Sequence, residues 1–382
     1  MLKDFIRKIH LWLGLASGII VFIVSVTGCI YVFSKEINEL IRKDALYAPA
    51  PSGETVPLSR LWTKVEAHLD EGQTVGWANI YNDPKKSWVF YSYEGKPDGK
   101  TYFSMIDHYI SVYVDPYSGD ILGTYDEKMD FFNVVKNLHW SLLLATSIGQ
   151  PIVGWSTLIF VILLITGLVL WWPRSFKSAR NLFWIRWKKT TTGQRKNYDL
   201  HNVLGFYSTF IALVIAFTGM VWSFKWFQAL VYVLAAGTTT PPDRAQLQST
   251  PVARAVESPI DLVFEQTRQR YAQAAGFRVV PAADSLSVIN SYVQVEDGLY
   301  YKTHELQFDQ YSGKLLKERK YEDKNAGERL ISANYDIHVG SLWGLKGKIL
   351  AFLVSLFCAS LPITGFYIWW NKRKQRSQSL FN

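Results

Sequence analysis

Four of the seven histidines in this 382-residue chain stand at places that recur. His10 is followed by Gly14, by Thr27-Gly28 and by Phe33, and His201 is followed at the same offsets by Gly205, Thr218-Gly219 and Phe224. His139 and His338 precede a second matched pair of segments. One reads Leu-Ile-Thr-Gly-Leu-Val-Leu-Trp-Trp up to Trp172, the other Pro-Ile-Thr-Gly-Phe-Tyr-Ile-Trp-Trp up to Trp370. A single imidazole at the end of an apolar run can simply be wetted at an interface. Ionisable groups tied to membrane spans are costly and mark function, however, and these four come in repeated positions.

The repeat sets what chemistry is available. Two similar halves that run in the same direction are related by an axis along the membrane normal. Equivalent residues then face each other, His10 against His201 and His139 against His338. Two opposed imidazoles can ligate a haem iron from both faces. Zinc fits less well, because it takes three or four protein ligands and no carboxylate accompanies these histidines. The only cysteines are Cys29 and Cys358, too few for an ordinary iron–sulfur cluster. There is no Cys-x-x-Cys-His for covalent attachment, so the expectation is two haem b groups held by axial bonds and apolar walls. Small residues nearby, Gly14, Ser17, Gly18, Gly205 and Ser208, give either room for a macrocycle or plain helix packing.

Four stretches have the length and composition to place such ligands in a bilayer: Leu11 to Phe33, Pro151 to Trp172, Asn202 to Phe224 and Ile349 to Trp370. The chain is 49% hydrophobic with 15 Trp, as membrane proteins with interfacial aromatic belts are. Lysine and arginine set the orientation. The N-terminus nets +2, the segment Pro173 to Tyr198 nets +8 and the tail nets +4, against a formal +9 for the whole, so everything else nets −5. Both termini and the middle loop are therefore expected in the cytoplasm. The basic balance is a topology signal and implies no nucleic acid.

The inserts between the spans fall on the other side. Each opens with a helical pattern, Leu58 to Leu69 and Ile260 to Tyr271, and continues with alternating, strand-like runs. Asp115-Pro-Tyr-Ser-Gly in the first answers Asp309-Gln-Tyr-Ser-Gly in the second, both read as hairpin turns. His139 and His338 lie some 12 or 13 residues before the expected boundaries of their spans. A bend is needed to bring them in, expected at Gly149-Gln150-Pro151 in one half and at Gly340, Gly344 and Gly347 in the other. Of the other histidines, His68 is expected in water, and His108 and His304 as surface residues on a strand. Trp140 and Trp343, near the outer histidines, are candidates for an aromatic substrate lining or for interface anchors.

The pieces together resemble the PepSY-associated transmembrane family: Arg-Lys-Ile-His-Leu-Trp-Leu-Gly-Leu at the N-terminus, Leu138-His139 before the second span, Ile-Thr-Gly followed by Trp-Trp, and two Tyr-Ser-Gly inserts. The likeness covers nearly the whole chain. In length and layout it is most similar to the dihaem inner-membrane reductases of ferrioxamine-type siderophores within that family. The resemblance implies a four-helix membrane bundle with two periplasmic α+β (PepSY-like) domains, arising by internal parallel duplication. The division it implies is 1–37 first transmembrane helix, 38–135 first domain, 136–173 second helix, 174–198 basic loop, 199–237 third helix, 238–335 second domain, 336–371 fourth helix and 372–382 tail. It also implies that His10, His139, His201 and His338 are the haem ligands, and that ferric siderophore is reduced on the periplasmic face of a bacterial inner membrane so that its iron is released. One departure is the approach to the fourth span, where Lys346 and Lys348 replace apolar residues and put equal depth of the two outer ligands in question.

No Gly-x-Gly-x-x-Gly follows a strand, so electrons are expected from a separate cytoplasmic or membrane donor. Two rivals remain. A membrane-tethered PepSY sensor or peptidase-restraining protein would carry structural histidines and no haem. A metal permease would use the histidines as a relay, though it lacks the intramembrane carboxylates common in proton-coupled transport.

Overall fold

The computed structural model describes residues 1–48, 53–173, 183–242, 247–252 and 256–378. Arg174, Lys177 and Arg180 of the basic loop, and the side chain of Arg376, lie outside the described residues. The chain divides into two compact units. One comprises Met1–Phe33, Val135–Gln228 and Ile337–Asn382, the other Ser34–Val134 and Ala229–Asp336.

The first unit is built on four helices long and apolar enough to cross a membrane: Leu2–Tyr31, Thr146–Trp171, Gly193–Ser223 and a fourth within Ser341–Gln375. At about 1.5 Å per residue the shortest exceeds the roughly 30 Å of hydrocarbon in a bilayer. They form a ring in which the first and third spans each pack against the second and fourth. Outward faces carry Ile19, Ile165, Phe217 and Ile363, all exposed, as lipid contact requires. This is a membrane protein. The small residues let helices approach: a methyl added at Gly14 would meet Leu163 at 3.8 Å, and one at Gly205 would meet Leu361 at 3.6 Å. Ser17 and Ser208 are buried and donate to carbonyls of their own helices, Leu13 and Leu204. Packing therefore accounts for these positions.

The bends differ from expectation in one half. Gly149 and Pro151 lie inside the helix Thr146–Trp171, which runs on through both of them. The chain turns earlier, at Leu142 and Leu143, whose φ of 56° and 59° place two leucines in the left-handed region. That conformation costs roughly 1–2 kcal/mol per residue. It is offset by Ser141 Oγ donating to Leu144 O at 2.8 Å and by the Leu143 N–H reaching Asn137 O. Gly149 serves a different purpose: a Cβ there would stand 1.8 Å from the Ser141 carbonyl, so the glycine admits the preceding helix, Phe131–Ser141, across its face. In the other half the turn does fall on glycines. Gly340 and Gly344 have φ of 77° and 55°, and a Cβ on Gly347 would meet Gly340 O at 2.0 Å.

The second unit holds one antiparallel sheet of eight strands in the order β4-β3-β2-β1-β5-β6-β7-β8. The strands are β1 Trp77–Tyr81, β2 Trp88–Gly95, β3 Ile106–Val114, β4 Ile121–Asp126, β5 Gly276–Val280, β6 Ile289–Gln294, β7 Thr303–Phe308 and β8 Leu315–Arg319. Each insert supplies four strands, and the two sets join through β1 and β5, where Ala78 opposes Val279 and Ile80 opposes Phe277. Instead of two separate small sheets there is one, because pairing two otherwise open edges satisfies a row of backbone groups. Helices Leu58–Glu66 and Pro259–Arg270 lie on one face. Leu61, Val65, Phe90, Val112, Val263, Val279 and Leu306 make a shared core there. Both Tyr-Ser-Gly corners are built alike. Asp115 Oδ1 accepts from Tyr117 N at 2.8 Å, Asp309 Oδ1 from Tyr311 N at 3.0 Å, and Gly119 and Gly313 supply φ of 74° and 65°.

Candidate functional site

The four repeated histidines occupy four copies of one local arrangement. His10 Nδ1 lies 2.9 Å from Thr166 Oγ1 and His201 Nδ1 lies 2.8 Å from Thr364 Oγ1. His139 Nδ1 lies 3.1 Å from Thr27 Oγ1, and His338 Nδ1 lies 2.8 Å from Thr218 Oγ1. Every one of these threonines precedes a glycine, and the glycine leaves room for the ring. A Cβ on Gly167 would stand 3.3 Å from His10 Cε1, on Gly365 3.3 Å from His201 Cε1, on Gly28 3.4 Å from His139 Cε1 and on Gly219 3.9 Å from His338 Cε1. The Thr-Gly pair is thus a cradle: the hydroxyl grips one nitrogen and the bare Cα accepts the edge of the ring.

The partners settle the tautomer. Each threonine hydroxyl has one proton, and each is placed to give it to a carbonyl one turn back on its own helix. Thr166 reaches Ile162 O at 2.7 Å, Thr364 reaches Ser360 O at 2.8 Å, Thr27 reaches Ile23 O at 2.7 Å and Thr218 reaches Ile215 O at 2.7 Å. The hydroxyl oxygen then accepts from Nδ1–H of the histidine. Val24 O at 2.9 Å from His139 Nδ1, and Ile215 O at 3.1 Å from His338 Nδ1, are acceptors only and require the same proton. All four rings are held with Nε2 carrying a free lone pair, the form in which imidazole binds a metal.

The two levels of the site are well separated. Thr27 follows His10 by seventeen positions of one helix, and Thr218 follows His201 by the same seventeen, a rise of about 25 Å at 1.5 Å per residue. At one level His139 and His338 approach to 5.9 Å between ring centroids at 76°. Two imidazoles sharing a metal at roughly 2 Å per bond, with roughly 1 Å more from nitrogen to ring centre, have centroids roughly 6 Å apart. At the other level His10 and His201 lie within electrostatic reach of one another. The bend at Leu142–Leu143 carries His139 back against Thr27, and the glycine turn carries His338 back against Thr218. Despite Lys346 and Lys348, His139 and His338 are anchored on threonines at matching offsets.

These residues fit bis-histidine haem ligation: two histidines at each level with Nε2 unprotonated, second-sphere acceptors on Nδ1 and, among the described residues, no carboxylate hydrogen-bonded to them. One further atom points the same way. Trp171, five residues beyond Thr166, is buried with its Nε1–H unpartnered among the described residues, its ring stacked on Phe206 at 3.9 Å. A buried indole N–H ordinarily finds an acceptor, and a haem bears two propionates.

Sequence reasoning singled out the histidines and missed their holders. Thr27, Thr166, Thr218 and Thr364 had been visible as marks of the repeat, four Thr-Gly pairs against four histidines. It also missed Trp222, whose ring lies 5.2 Å from His338 and 6.1 Å from Trp140. Trp140 therefore stands one aromatic ring away from the outer pair. Trp343 is 70% exposed and makes no such contact among the described rings. His68 is exposed and bonds Thr124 Oγ1. His304, expected at the surface, is buried: its Nδ1 accepts from Tyr321 N at 2.9 Å under the Tyr271 ring.

In comparison with known proteins, the family model for the PepSY-associated TM region matches residues 7–372. No curated protein matches the chain.

Proposed function

The chain belongs to the family of PepSY-associated transmembrane regions, and on that premise we propose that it is a dihaem inner-membrane reductase that moves electrons across the bilayer to ferric siderophore. The observation that carries this reading is the fourfold clamp, in which each histidine has its Nδ1–H fixed by a threonine and its Nε2 left to a metal. Bound there, haem b would supply a one-electron carrier near each face of the membrane. His10 and His201 would hold the inner group, His139 and His338 the outer one.

What the chain itself contributes is position and environment. The threonines fix ring orientation and raise the basicity of Nε2. The apolar helices exclude water. The 25 Å between levels brings each centre close to one membrane surface, so an outside acceptor need not enter the bilayer. Trp222 and Trp140 line the approach to His338. The orientation proposed, with both termini and the Lys188–Lys196 stretch cytoplasmic and the sheet unit periplasmic, rests on the distribution of basic residues. Internal parallel duplication accounts for the repeated clamps, the mirrored strand order and the paired Tyr-Ser-Gly corners. The siderophore, ferrioxamine-type among the candidates, is proposed from the resemblance, and the donor is a cytoplasmic or membrane partner.

The test is the absorption spectrum of detergent-purified protein with a haem-to-chain ratio. Two b-type haems per chain, reoxidised by ferric siderophore after reduction, are expected. A folded but colourless preparation would sink the proposal and leave the sheet unit to act as a binding or sensing module.

A further inference from the structure

On the sheet unit, far in sequence from the clamps, three ligand-bearing side chains converge: Glu94 on β2 with Asp107 and His108 on β3, whose ligand atoms all lie within 4.8 Å of one another. Consecutive strand residues normally point to opposite faces. Here the register shifts, with Glu94 opposite His108 and Gly95 opposite Ile106, so Asp107 is the extra residue of a β-bulge. Bulges re-aim side chains in this way, and they gather at functional sites. Asp107 is brought to the side of His108 instead of away from it.

The donor atoms are poised for a cation. Ser92, fully buried, bonds His108 Nε2 at 2.9 Å, and Nδ1 faces Asp107 Oδ2 at 3.5 Å and Glu94 Oε2 at 3.9 Å. Lys96 pairs with the other oxygen of Asp107. That ion pair, followed by the bond to His108, holds the Asp107 carboxyl below its ordinary range, so it is an anion at neutral pH. Two ligand atoms about 2.1 Å from a tetrahedral metal are about 3.4 Å apart. The His–Asp spacing of 3.5 Å already matches, and Glu94, 3.9 Å from the imidazole and within 4.8 Å of Asp107, has an exposed side chain that can close in on both. A cavity of about 310 Å³ adjoins, lined by Asp107, His108, Thr124, Asp126 and Lys128, and leaves space for water or a further ligand.

We propose that Glu94, Asp107 and His108 form a binding site for a divalent first-row transition cation, with His108 Nδ1 and one oxygen from each carboxylate as ligands and the remaining positions open to solvent. One imidazole with two carboxylates suits Zn²⁺, Mn²⁺ or Fe²⁺ and lacks the thiolates that select softer ions. The site belongs to the sheet unit and the membrane histidines to the other, and its geometry does not depend on haem.

The test uses full-length, tag-free protein in detergent, stripped with chelator and titrated with zinc chloride by calorimetry. One saturable site per chain is expected, with affinity reduced at least tenfold in His108→Ala and about tenfold in Glu94→Gln, an exposed position where folding is not at risk. Mn²⁺, followed by its paramagnetic resonance, should compete with Zn²⁺ for that site. No saturable binding, or binding unchanged in both variants, overturns the proposal. Haem absorption, recorded on the same samples, should be untouched by either substitution. A colourless wild type that still binds zinc at His108 would sink the haem reading and leave this one standing.

Discussion

Thr166→Val separates a ligand-holding threonine from a packing one. Valine keeps nearly the same shape and deletes only the hydroxyl, which accepts from His10 Nδ1–H at 2.9 Å and donates to Ile162 O at 2.7 Å. The Ile162 carbonyl keeps its ordinary helical partner, so the helix should lose little. His10 loses its orienting acceptor in surroundings where water cannot replace it. A net hydrogen bond is worth about 0.5–1.5 kcal/mol, and removal of a second-sphere partner to a metal-bound histidine lowers metal affinity about 10–100-fold. Hemin titrated into apo-protein should therefore bind the inner site roughly tenfold or more weakly in Thr166→Val, and likewise in Thr364→Val at His201. The outer site should be unaffected in both. Gly167→Ala attacks the same ring sterically, since its methyl would stand 3.3 Å from His10 Cε1. If Thr166→Val and Thr364→Val bound two haems with wild-type affinity and unshifted spectra, the clamp would be ordinary helix packing and the argument for ligation would fail.

Other perturbations read different parts of the molecule. His10→Ala or His201→Ala should each abolish one haem, and His139→Ala or His338→Ala the other, as counted by pyridine haemochrome; loss of both haems from every variant would refute the pairing. Arg42→Met should destabilise the sheet unit by about 3–5 kcal/mol in thermal or denaturant unfolding, because Arg42 is buried against Glu127 and Asp130 and its removal strands two carboxylates. Burial holds His304 below the ordinary histidine value of 6.5, Glu322 opposing and Lys320 assisting. Its contribution is therefore fully present above pH 6.5 and is lost as pH falls through the lower native value. Unfolding midpoints should fall on the acid side of 6.5, and His304→Gln should flatten that slope.

The spans and the histidines could be read from the sequence, because apolar length and a repeated spacing are one-dimensional signals. What the threonines do could not. Thr27 and Thr166 look alike as repeat marks, and only the packing of the first span on the second shows that each faces the other's histidine. The turn into the second span was hidden for another reason: nothing local marks Leu142 and Leu143 for a left-handed backbone, whereas Gly340 and Gly344 announce it in the other half. Gly149 drew attention as a breaker, yet its role is to admit the Ser141 carbonyl, a contact between segments. The joining of two inserts through β1 and β5 lay equally out of reach, since Ala78 and Val279 are about 200 residues apart and strand pairing at that distance leaves no spacing to read.

The wiring of the clamps says how the site is assembled. Within the first half the exchange is reciprocal: the first span gives His10 to the Thr166 cradle of the second, and its Thr27 receives His139 from the segment leading into that span. The second half repeats this with His201 on Thr364 and His338 on Thr218. Each half can therefore orient its own two imidazoles without the other. On the proposed ligation neither half would complete a centre, because the second histidine at each level belongs to its counterpart. Orientation is local to a half, and the proposed ligation would lie between halves. If the proposed centres form, a shift of one half along the membrane normal would weaken both together, since His10 and His139 are both held within the first half. The single sheet joined at β1 and β5 ties the inserts of the two halves together by backbone hydrogen bonds.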